Sequence, residues 1–109
     1  MTDEQMIALL SYYHDFMVVG DKQFPPESFD VSSGSIDCDS IPPHLAWMCS
    51  ESIKFVQEGH IEKAHRWLGF IQGVLWSQEV FSLNDLRAHV INASKDNPPV
   101  LPELLPERF

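Results

Sequence analysis

The stretch Glu62-Lys63-Ala64-His65-Arg66-Trp67-Leu68-Gly69-Phe70-Ile71-Gln72-Gly73-Val74-Leu75-Trp76 decides the fold. It holds two tryptophans, a phenylalanine and four aliphatic residues in one proline-free run, and its periodicity predicts a helix over about 61–78. Ile61, Ala64, Leu68, Ile71 and Leu75 recur at helical spacing and form one apolar stripe. Trp67, Phe70 and Val74 form a second. Gly69 and Gly73 lie on a third side, bordered by Arg66 and Trp76. Apolar residues around most of the circumference mark a helix buried on several sides. A helical glycine costs about 0.5–1 kcal/mol relative to alanine. Two of them four apart therefore predict close packing, with another backbone crossing at Gly69 and Gly73.

Working outward, Gly59 and His60 leave only a short turn before this helix, so the preceding helix is its antiparallel neighbour. That helix covers about 44–58, with Ser40 or Asp39 as its cap and Pro42 and Pro43 in its first turn, where a missing N–H costs least. Leu45, Met48, Cys49, Ser52, Ile53 and Val56 read as its inward stripe. Glu51, Lys54 and Glu58 lie outside at ion-pair spacing, with Trp47 at the start. Downstream, Ser82 caps a fourth helix over about 83–94, with Asp85 in its first turn and Leu83, Leu86, Val90 and Ala93 facing inward. At the other end of the chain, Thr2 and Gln5 make a capping box for a helix over about 3–18. Its stripe is Met6, Leu9, Leu10, Tyr13 and Met17.

Two segments lack helical period. Residues 19–41 carry Pro25-Pro26, a Ser32-to-Ser35 cluster and Asp37-Cys38-Asp39, and read as a long loop with a short strand at 28–31. Phe24, Phe29, Val31 and Ile36 are expected to pack it down on the helices. Residues 95–109 contain Pro98, Pro99, Pro102 and Pro106 and read as an extended, polyproline-like tail. Val100, Leu101, Leu104, Leu105 and Phe109 are too apolar for solvent, so this tail is expected to dock on the protein's own helices, with a partner-binding or dimer strap as the alternative. The expectation is an all-α, four-helix bundle-like domain spanning residues 1–109, with a long acidic loop between the first two helices.

The chain has 109 residues, 16 acids against 7 bases, and a net charge of −9. Residues 1–39 hold eight of those acids and a single base, Lys22. This composition argues against direct nucleic-acid binding, which needs a basic footprint. It suits a partner with a basic surface. Asp21, Glu27, Asp30, Asp37 and Asp39 are the candidate contact residues. No apolar run reaches the roughly 18–20 residues that span a bilayer. The N-terminus is acidic where a signal peptide would be basic, which predicts a cytoplasmic protein.

Motifs for chemistry are sparse. Cys38 and Cys49 make no disulfide framework. With His44 they fall short of the four suitably spaced ligands of a zinc site. The nucleophile elbow, the phosphate-binding Gly-rich loop and the zinc-protease helix motif are missing. So are the paired carboxylate motifs that small helical pyrophosphohydrolases use for magnesium. Neither catalysis nor a bound metal or cofactor is expected. His65, Arg66 and Gln72 against Trp76 make a candidate polar groove for a small anion or polar ligand. Their competing role is hydrogen bonding to the protein's own loop or tail.

His44-Leu45-Ala46-Trp47-Met48, followed by Lys63-Ala64-x-Arg66-Trp67-Leu68-Gly69-Phe70-Ile71-Gln72-Gly73-x-Leu75-Trp76, resembles a family of small accessory proteins of tailed bacteriophages and prophages. The resemblance covers about residues 42–90, and Ser82 to Arg87 looks like that family's closing helix. It implies a phage protein in the host cytoplasm that binds and modulates or inhibits a host protein. Exposed apolar patches at Trp47 and the tail would allow a homodimer as well as a monomer. Two alternatives stay open. One is an acidic nucleic-acid mimic directed at a DNA-binding host protein. The other is a small-ligand or metal-dependent activity around His65, Arg66 and Gln72.

Overall fold

The structure is a computed structural model that describes residues 1–18 and 41–97. All regular structure among them is helical: α1 Asp3–Val18, α2 Ile41–Gln57, α3 Ile61–Ser77 and α4 Leu83–Ala93. The expected loop 19–41, its strand at 28–31 and the tail past Asn97 lie outside the described residues, except Ile41, which opens α2.

Five of the eight helix ends are closed by local hydrogen bonds. Gln5 N–H donates to Thr2 Oγ1 at 3.2 Å while Thr2 N–H donates to Gln5 Oε1 at 2.8 Å, completing the capping box of α1. Ser82 and Asp85 make the same reciprocal pair at the start of α4, both at 3.1 Å. Three helices stop in Schellman turns. After α2, Gly59 takes φ +87° and His60 N–H reaches Phe55 C=O at 2.7 Å. After α3, Glu79 takes φ 60° and Val80 N–H reaches Leu75 C=O at 2.9 Å. After α4, Asp96 takes φ 56° and Asn97 N–H reaches Asn92 C=O at 2.9 Å. Lys95 to Asn97 are thus wound into a cap, where an extended tail was expected to start at Lys95.

The core lies between α1 and α2, with α3 and α4 closing two further sides. The predicted stripe of α1 is buried in full: Met6, Leu9, Leu10, Tyr13 and Met17. Tyr12 and Phe16 are buried as well, so α1 is enclosed over a wide arc. It packs on α2 along one flank and receives α4 on another. From α2 come Leu45, Ala46, Met48, Cys49 and Val56, with Ser52 among them fully buried. The Ser52 hydroxyl finds no hydrogen-bond partner among the described residues. Glu51 and Lys54 pair on the outer side at 3.1 Å, as their spacing predicts.

Two packing expectations are corrected. The helix enclosed on several sides is α1, not α3. Only Ala64, Leu68, Ile71 and Leu75 of α3 are buried, while Phe70 and Trp76 are 55% and 52% exposed. In addition, Leu83 faces solvent, 59% exposed, because it sits in the first turn of α4 beyond the reach of the core. Leu86 and Ala93 hold α4 down instead.

Candidate functional site

The residues singled out from sequence separate in space. Gln72 turns inward, and its amide donates to the Tyr13 hydroxyl at 3.1 Å. Tyr13 Oη in turn lies 2.8 Å from Nδ1 of His89. This chain links α1, α3 and α4 across the partly buried seam. The His89 ring stands edge-on to Phe81, with centroids 4.8 Å apart and planes at 85°, and also meets Tyr12 at 5.5 Å. Burial lowers the His89 pKa, while the nearby Asp85 carboxylate opposes the shift. The ring is therefore held neutral, with Nδ1 accepting from Tyr13 O–H. Burial likewise pushes the Tyr13 hydroxyl up, which keeps it a donor.

His65 and Arg66 do not join this chain. Both are exposed, and Arg66 borders a hollow at the α2–α3 turn with Gly59, His60, Glu62 and Lys63. The expected polar groove of His65, Arg66 and Gln72 is thus not assembled, because Gln72 is bonded to Tyr13. The close crossing expected at Gly69 and Gly73 is also absent among the described residues. A Cβ built on either glycine meets nothing within 4 Å.

What the fold does assemble is an outward face on α3. At about 100° per residue, Glu62, Arg66, Gly69 and Gly73 line the side opposite the buried stripe. Phe70 and Trp76 stand to either side of the glycines, each more than half exposed. The result is a shallow valley with a backbone floor and aromatic walls. The Phe70 wall continues into an apolar groove of about 200 Å³ between α2 and α3, lined by Ile41, Leu45, Val74 and Ser77 among others. Sequence reading had grouped Phe70 with Trp67, yet the two part company. Trp67 is half-buried against Trp47 at 5.8 Å and edge-on to Phe55 at 4.9 Å, and the Lys63 ammonium sits 4.4 Å from the Phe55 ring.

Other candidates carry less. Burial pushes the Cys49 thiol up to about 12, so it is not a nucleophile near neutral pH. Among the described residues no group of three His, Cys, Asp or Glu side chains is placed to hold a metal ion. No described helix is long and apolar enough to cross a membrane. Asp21, Glu27, Asp30, Asp37, Asp39 and Cys38 lie outside the described residues. Comparison with known protein families, curated proteins and solved structures finds no match for this chain.

Proposed function

We propose that this protein is a non-enzymatic binding module that attaches to another protein through the outward face of α3. One observation carries the reading. Phe70 and Trp76, large apolar side chains, are held more than half in solvent around two helical glycines. Each glycine costs about 0.5–1 kcal/mol in helix stability relative to alanine, with no offsetting contact among the described residues. A local rule broken without structural return points to function. Aromatic anchors of this kind carry much of the energy at protein interfaces.

The resemblance of the α2–α3 motif to phage accessory proteins supports a host protein as the partner and its modulation or inhibition as the outcome. The net charge of −9 supports a partner with a basic surface, with the acid-rich segment 19–41 as a second contact region. The polar trio Tyr13, Gln72 and His89 is occupied with its own hydrogen bonds, which favours binding over catalysis.

The test is affinity capture from bacterial lysate with the wild type and a Phe70→Ser/Trp76→Ser double variant. A specific partner should be recovered by the wild type, and its yield should fall at least tenfold with the variant. Equal recovery by both proteins would remove the α3 face from the reading.

A further inference from the structure

We infer that the outward face of α3 joins two copies of this chain in a weak antiparallel dimer, the Phe70 ring of each copy entering the α2–α3 groove of the other. The inference rests on the reading of that face as a protein-binding surface and names a second copy as an occupant of it.

Self-complementarity favours this occupant. A two-fold interface uses one patch on both copies, so that patch must carry both a projection and the hollow that receives it. Phe70 is the projection, more than half exposed. The hollow lies beside it: the groove of about 200 Å³ lined by Ile41, Leu45, Val74 and Ser77 has room for one aromatic side chain. A two-fold axis level with Ile71 runs between Gly69 and Gly73, and Phe70 stands one residue, about 1.5 Å, from that level. Antiparallel pairing about this axis keeps both grooves on one side of the pair. Each Phe70 then lies over the near end of the other copy's groove. Parallel pairing would put the two grooves on opposite sides and leave both rings unseated. The glycine floors add closeness. A Cβ at Gly69 or Gly73 meets nothing within 4 Å, so two such floors can approach within the usual 8–10 Å between helix axes.

Charge selects the same arrangement. At a net charge of −9 per chain, two copies repel each other as wholes. On α3, however, Glu62 is the one acid against Lys63 and Arg66. A parallel pair would bring both basic halves together. An antiparallel pair sets Arg66, five residues before the axis, level with Trp76 of the other copy, five residues after it. The guanidinium can then lie on the exposed indole as a cation–π contact, twice per dimer. The opposed helix dipoles favour this direction too. Size sets the strength. Seventeen residues make α3 roughly 25 Å long, and one such helix face belongs to the weak, transient interfaces below about 1,200 Å². The dimer should be half-formed at a chain concentration on the order of 100 µM. At low concentration the face therefore stays open to another protein.

The experiment is sedimentation velocity on the full-length chain from about 5 to about 500 µM, a range that brackets the expected midpoint. The wild type should pass from monomer to mostly dimer. Gly73→Leu puts bulk on the floor, and Phe70→Ser removes the projection. Each should raise the dissociation constant at least tenfold. Arg66→Glu should raise it about threefold or more, because the indole face repels a carboxylate. Circular dichroism checks that each variant keeps its helices, and Phe70→Ser decides the matter if Gly73→Leu does not fold. A wild type still monomeric at the highest concentration would overturn the inference. So would a dimer that survives Phe70→Ser, or one that Arg66→Glu leaves unchanged or strengthens. A monomeric wild type beside a face-dependent partner capture overturns this inference alone. A face-dependent dimer beside a capture indifferent to the face substitutions overturns the partner reading instead.

Discussion

Glycine stands at three described positions, and their surroundings assign them opposite signs. Gly59 closes α2 at φ +87°, a conformation that L side chains rarely adopt. Gly59→Ala should cost about 1–2 kcal/mol and lower the melting temperature. Gly73 is helical and a Cβ there meets open space, so Gly73→Ala should gain about 0.5–1 kcal/mol. Thermal denaturation of the two variants side by side checks both directions. A stabilised Gly73→Ala that also loses partner capture would separate the site from the scaffold. Sequence spacing shows that two glycines share one side of a helix. It does not show whether that side meets a neighbour, because a close crossing and an open binding face leave the same spacing.

At the scale of elements, the seam of α1, α3 and α4 depends on a neutral His89. Its pKa is lowered in the folded protein, so the unfolded chain binds the proton more readily. Stability from this group is complete above the unfolded value of about 6.5 and is lost as pH falls through the window below it. His44 is shifted in the same direction by burial and adds to the effect. The melting temperature should fall between pH 7 and pH 5, and His89→Gln should flatten that fall while His44 retains a share. An unchanged pH profile in the variant would remove His89 from the seam. The helices themselves were legible from capping pairs and apolar spacing, within three residues at each end. The seam was not, since Tyr13, Gln72 and His89 lie far apart in the chain and no local pattern pairs them.

At the scale of the whole molecule, burial separates the scaffold from the surface that it displays. Leu68 is buried at the α3 stripe, and Leu68→Ala should cost about 2–5 kcal/mol. Phe70→Ser and Trp76→Ser, two and eight residues further along, should each change stability by about 0.5 kcal/mol or less. Chemical denaturation of the three variants measures the difference. The sequence by itself determined the helical class of the described residues, the four elements, the capping boxes of α1 and α4 and the α1 stripe, because these follow from short-range propensity and periodicity. Only the tertiary structure decided which helix is enclosed and which keeps an open face. That choice depends on which flanks α2 and α4 cover. α1 receives both, whereas α3 leaves its glycines, Phe70 and Trp76 uncovered by any described element.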